Sequence, residues 1–272
     1  MLSMLEILDD IQGSAIRRLW HRLRTPSVVA QMRPVENTFF LKISAQHRRD
    51  KLDWKMIRAY SLDVSERILL PEGIDPPPET GLRRYIPYEY HRRLLENIAA
   101  EILVCSPKRP ELRRVAVYGQ DNEVIAMLPR LVSLAGEVRV ITRRPFAVAD
   151  TVAELCRRTG AAVTVSEEFD ASGFDMLLAP AGGSKVFTLS GDMVVIAPDR
   201  PAVPVSLWVK GARPSLPAML EGIYDERYDL TEFVGAFYEA CQIKSLGRMS
   251  PSAGLSESGE ISPEEAAALI SR

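Results

Sequence analysis

The chain has 272 residues, 46% of them hydrophobic and 26% charged, with 34 Lys+Arg set against 36 Asp+Glu. That balance fits a soluble globular protein with one large domain or two modest ones, and it lacks the basic surplus of a nucleic-acid binder. No apolar run reaches the ~18 residues of a membrane span, so neither nucleic acid nor a membrane crossing is expected.

Three isolated cysteines (Cys105, Cys156, Cys241) and three scattered histidines (His21, His47, His91) form no spaced ligand set. They predict no metal site and a reduced, cytoplasmic setting. Glu6, Asp9 and Asp10 interrupt the apolar start and argue against a leader peptide.

Taken in order, residues 2–24 read as a helix, with Leu5, Leu8, Ile11, Ala15, Leu19 and Leu23 on one face and acidic residues ahead of basic ones. Its simplest use is docking or a homo-oligomer contact; the basic run Arg17 to Arg24 would also suit a membrane surface. Residues 25–34 read as a connector. A strand over Asn37 to Ser44 follows, then a loop in which His47, beside Arg48 and Arg49, is either an anion clamp or a solvated turn. A helix near Lys51 to Tyr60, a short strand at Arg67 to Leu70, a stiff loop at Pro76-Pro-Pro78 and a helix over Pro87 to Val104 complete a first mixed α/β lobe.

Arg113 to Gly183 then alternates strand and helix. Strands are read at Arg114 to Tyr118, Glu137 to Thr142, Ala162 to Ser166 and Asp175 to Ala179, with helices from about Asn122 to Ala135 and Pro145 to Thr159 between them. Such alternation implies right-handed βαβ units, a parallel sheet and ligands at the C-terminal strand ends. Further strands are read at Asp192 to Ala197 and Val205 to Val209, and a capped helix at Leu230 to Ile243. The expected organisation is residues 1–34 as N-terminal helix and connector, 35–108 as the first α/β lobe, 109–248 as a Rossmann-like lobe with a closing helix, and 249–272 as a mobile Ser/Gly-rich tail with a short helix. The cleft between the lobes is the default ligand site.

Two loops bear on chemistry. After the first strand, Gly119-Gln120-Asp121-Asn122-Glu123-Val124 keeps one of the three glycines of a dinucleotide loop, and Asp121 stands where the second belongs. Asp121 and Glu123 oppose a pyrophosphate but are favourable as residues of a helix N-terminus. After the second strand, Thr142-Arg143-Arg144 offers two guanidinium groups where NADP-binding proteins hold the 2′-phosphate; a solvated basic turn is the plainer reading. Pro180-Ala-Gly182-Gly183 ends the fourth strand with glycines suited to close backbone approach.

Val115-Ala-Val-Tyr-Gly119, Val138-Arg-Val-Ile-Thr-Arg-Arg144 and Met176-Leu-Leu-Ala-Pro-Ala-Gly-Gly183 resemble the NADP-binding domain of shikimate dehydrogenases and glutamyl-tRNA reductases. The resemblance implies a Rossmann-like fold and NADP as cofactor. Gly119 would be the tight-turn glycine, with Gln120 in the phosphate loop. Thr142, Arg143 and Arg144 would stand on the ribose side, and Pro180, Gly182 and Gly183 on the nicotinamide side. No motif places the family's catalytic Lys and Asp. The expectation is therefore an oxidoreductase-like protein that binds NADP or a related phosphorylated small ligand. The alternative is a Rossmann-like scaffold without cofactor chemistry that acts through interaction or regulation.

Overall fold

The computed structural model describes residues 1–8, 26–47, 51–61, 66–242 and 251–270. In chain order the strands and helices are β1 (Leu2–Leu8), β2 (Val28–Val35), β3 (Thr38–Gln46), α1 (Trp54–Ser61), β4 (Arg67–Leu69), β5 (Arg83–Arg84), α2 (Tyr88–Cys105), β6 (Arg114–Tyr118), α3 (Asp121–Leu131), β7 (Glu137–Ile141), α4 (Pro145–Thr159), β8 (Ala162–Ser166), β9 (Met176–Leu178), β10 (Val194–Ile196), β11 (Leu207–Pro214), α5 (Ala218–Glu221), α6 (Leu230–Ala240), β12 (Pro251–Ser256), β13 (Gly259–Ile261) and α7 (Pro263–Leu269). They divide into two compact units, residues 1–90 with 216–248 and residues 91–215 with 249–272. The division falls inside α2, upstream of residues 106–110 where the sequence suggested a boundary, and it assigns the last long helix to the first unit.

The first unit carries a five-stranded sheet in the order β2-β3-β1-β4-β5. Here the structure corrects the N-terminal helix: Leu2–Leu8 is a strand, parallel to β3 on one side and β4 on the other. Leu2, Met4 and Leu5 are buried, as in a central strand whose two faces are both covered, and such strands read as near-continuous apolar runs. These residues present no docking face; residues 9–24 of the expected helix lie outside the described residues. The expected connector is also corrected, since Val28–Val35 forms an antiparallel hairpin with β3 and tolerates Pro34 because it is an edge strand. Leu5, Ile43, Ile57 and Ile68 centre one core cluster. Elsewhere in the unit Phe40 and Phe233 pack on Phe237 of α6, with ring centroids 5.1 and 5.0 Å away.

The second unit is a Rossmann-like α/β fold. Six parallel strands lie in the order β11-β10-β9-β6-β7-β8. Numbered from β6 along the chain, this is the order 3-2-1-4-5-6 of the doubly wound dinucleotide fold, with its switch point between β6 and β9. Its strands are short and apolar because they are covered: Val115, Val117, Val138, Val140 and Val194 to Ile196 are all buried. The expected mobile tail is a second correction. Pro251–Ser256 pairs antiparallel with β11, and Gly259–Ile261 with β12. A Cβ on Gly254 would stand 3.2 Å from Val209 and 3.3 Å from Ile261, a tight fit that those two side chains would have to yield to.

A buried polar knot closes the N-terminal end of this sheet. Arg113, 5% exposed, donates to the carbonyls of Lys108 (2.7 Å), Leu134 (3.0 Å) and Ser106 (2.9 Å). Its own carbonyl accepts from Gly136 and Glu137 at the head of β7. Asp175 accepts from Lys108 Nζ at 2.6 Å and from the Arg114 amide at 2.8 Å. The guanidinium fork serves three acceptors that an ammonium cannot span. Arg113→Lys, which keeps the charge and loses the fork, is expected to lower unfolding stability by about 2–4 kcal/mol, read as a drop in urea midpoint; an unchanged midpoint would refute the geometric role.

Candidate functional site

The C-terminal ends of the strands stay open. Loops leaving β6, β7 and β9 enclose a pocket of about 540 Å3 lined by Tyr118, Gly119, Gln120, Asp121, Thr142, Arg143, Arg144, Ala181, Gly182 and Gly183. Seven of the eight residues singled out from the sequence line it: Gly119, Gln120, Thr142, Arg143, Arg144, Gly182 and Gly183. Pro180 does not, being buried below the loop. All ten lining residues belong to the second unit. The pocket lies at the fold's switch point, where open parallel sheets bind ligands.

The first wall is the turn into α3. Gln120 is the N-cap in extended conformation, and its amide donates to Glu123 Oε2 at 3.2 Å, half of a capping box. Pro129 lies inside the helix and does not delay its start. Gly119 has ordinary backbone geometry, and a Cβ there would meet Val124 at 3.4 Å, a normal contact. The tight-turn role implied by the resemblance is therefore not a steric requirement at Gly119.

The second wall is the basic turn after β7. Thr142 is 2% exposed and donates through Oγ1 to Asp121 Oδ1 at 3.2 Å, while the Arg144 amide donates to the same hydroxyl at 3.3 Å. The Arg144 guanidinium pairs with Asp121 Oδ2 at 3.2 Å, but its side chain is 77% exposed and the pair is correspondingly weak. Arg143 is exposed on the pocket wall and has no ion pair or hydrogen bond among the described residues.

The third wall is the glycine loop after β9, and its anchor escaped the sequence reading. Asp199, in the proline-rich turn after β10, accepts from the Gly183 amide (2.9 Å) and the Ser184 amide (3.2 Å) through Oδ1, and from Ser184 Oγ through its carbonyl (2.8 Å). Gly182 and Gly183 both have positive φ, +91° and +97°. A Cβ on Gly183 would stand 2.7 Å from the Tyr118 ring. Tyr118 is itself held by edge contacts to Phe169 and Phe187, at centroid distances of 5.5 and 5.3 Å. Only the strand order makes Asp199 a neighbour of residues 182–184, because β10 lies beside β9. Among the described residues no group of three or more His, Cys, Asp or Glu could hold a metal ion.

No family model matches the chain, and no curated protein matches it. Among solved structures it is similar to L-tryptophan dehydrogenase from Nostoc punctiforme, at 15% identity and TM-score 0.33, over 88% of this chain and 74% of that one. It is also similar to Thermococcus litoralis Δ1-pyrroline-2-carboxylate reductase in complex with NADH and L-proline, at 11% identity and TM-score 0.27, over 62% and 57% of the two chains. A third is a lysine cyclodeaminase, at 13% identity and TM-score 0.27, over 66% and 60%. The Rossmann-like assignment rests on the strand order.

The two glycine loops make opposite demands. Gly183→Ala is expected to cost about 1–3 kcal/mol, through positive φ and the Tyr118 ring together. Gly119→Ala is expected to stay within about 0.5 kcal/mol of the parent. Thermal unfolding of the two variants side by side checks this, and a larger loss for Gly119→Ala would reverse the assignment.

Proposed function

We propose that the pocket between the loops after β6, β7 and β9 binds NADP or a closely related phosphorylated nucleotide, and that the chain is an NADP-dependent, oxidoreductase-like protein. The observation that carries this reading is Arg143, an exposed guanidinium without a partner among the described residues, on the wall of a switch-point pocket at the end of the second strand. That is where the 2′-phosphate is distinguished from a free ribose hydroxyl. Arg144 adds a second cation, held loosely by Asp121 and available to turn toward a phosphate. Gly182 and Gly183 form part of the opposite wall of the pocket. In this reading the resemblance to the shikimate dehydrogenase and glutamyl-tRNA reductase cofactor domain is one of binding mode; no catalytic residue is assigned.

A second reading has its own support. Asp121 lines the pocket at the position of the missing second glycine, and its carboxylate opposes a pyrophosphate. A Rossmann-like scaffold that works through interaction or regulation would keep such a residue.

Titration with NADPH, NADH and ATP separates the two. A ligand that binds only the folded state raises the unfolding midpoint with its concentration. NADPH is expected to give the largest rise, and Arg143→Ala to weaken NADPH by about tenfold or more, equivalent to ~1.4 kcal/mol or more, while leaving NADH nearly unchanged. Equal losses for both nucleotides would remove the 2′-phosphate role of Arg143, and no shift with any nucleotide would establish the scaffold reading.

A further inference from the structure

A second cavity, of about 730 Å3, lies wholly within the first unit, between α1 and the turn at residues 73–80. Its floor is apolar. Leu52, Trp54 and Ile74 are half-buried there and rest on the cluster of Leu5, Ile43, Ile57 and Ile68. Its rim is cationic. Lys51, Lys55 and Arg58 are all exposed, and none has an ion pair or hydrogen bond among the described residues. Lys55 and Arg58 stand three apart on α1 and so share a face, with Trp54 four before Arg58.

Among the described residues the lining also includes His47 and the carboxylates of Asp75 and Glu79. Asp75 is engaged by Arg84 at 3.3 Å. Arg48 and Arg49, which the sequence grouped with His47, lie outside the described residues. Lys51, Lys55 and Arg58 outnumber the two carboxylates around the concavity, and their side chains form no ion pair among the described residues. A cleft in which cations outnumber carboxylates among the described lining residues, over a low-dielectric floor, favours ligands of negative charge. The volume falls within the range of small-molecule sites, which combine an apolar lining with a few convergent polar groups.

We propose that this cavity binds a small organic anion with a planar apolar body, an aryl phosphate or aryl carboxylate. The ring lies on the Trp54 floor and the anionic head meets Lys55 and Arg58. Bare phosphate would use only the rim, and a neutral arene only the floor, so the pair of features selects a ligand that has both. The proposal is independent of the nucleotide pocket, which shares no lining residue with this cavity.

The test uses the full chain and two probes, phenyl phosphate and benzoate, titrated by calorimetry with NADPH absent and then saturating. At least one probe is expected to bind saturably, one per chain, and equally well in both conditions. The head group of the probe that binds identifies the anion class. Lys55→Gln/Arg58→Gln should weaken that probe about tenfold or more without moving the unfolding midpoint, because both side chains are exposed. Trp54→Leu should weaken it separately, and Arg143→Ala should leave it unchanged. Absence of saturable binding for both probes, affinity unchanged in the double variant, or displacement by NADPH would each overturn the proposal.

Discussion

The second unit depends on the way the N-terminal ends of its central strands are tied. A buried guanidinium is costly unless it is hydrogen-bonded, and each of the three nitrogens of Arg113 donates to a main-chain carbonyl, drawn from the segment before β6 and the end of the turn after α3. Asp175 does the complementary work at the head of β9, taking Lys108 and the Arg114 amide. The heads of β6, β7 and β9 are thereby fixed to one another by groups that cannot leave without stranding a partner. Gly136 is part of the same arrangement, since a Cβ there would stand 2.2 Å from the Glu111 carbonyl oxygen. The loops of the pocket lie at the opposite end of the same strands.

Much of the second unit was legible in the sequence because its strands are short, apolar and separated by helices whose ends are marked by Gly, Pro and caps. The period changes at each boundary, and the pattern has one common solution. The meeting of three loops was legible for the same reason, since parallel β6, β7 and β9 bring residues 119–120, 142–144 and 182–183 to one end, but the expected site was a cleft between lobes and the lining of this pocket comes from the second unit alone. Asp199 was not legible. It is an unremarkable Asp between Pro198 and Arg200 until β10 is placed beside β9, and sequence order alone does not give sheet order.

The misreadings have physical causes as well. Leu2–Leu8 carries leucines at positions 5 and 8 that a helix would align, but both faces of the strand are covered, and burial on two faces erases the alternation that marks a strand. The segment after residue 250 was read from its Ser and Gly content as mobile. In the sheet the segment pairs with β11 and β12, and at Gly254 the side chains of Val209 and Ile261 come close over the backbone. Composition alone does not distinguish a residue that is small for entropy from one that is small for space.

Asp121 shows how a residue's sign can mislead when its neighbours are unknown. In the sequence it is a carboxylate in a loop that ought to welcome phosphate. In the structure its two oxygens are both engaged, one by the Thr142 hydroxyl and the other by the Arg144 guanidinium. Thr142 in turn takes the Arg144 amide, so the carboxylate fixes the path of the basic turn and offsets one of its two charges. Arg143, on the same turn, lines the wall with no protein partner among the described residues. The first loop thus braces the second through Asp121, and the phosphate contact proposed for this pocket falls to the side chains of the second loop rather than to the backbone of the first.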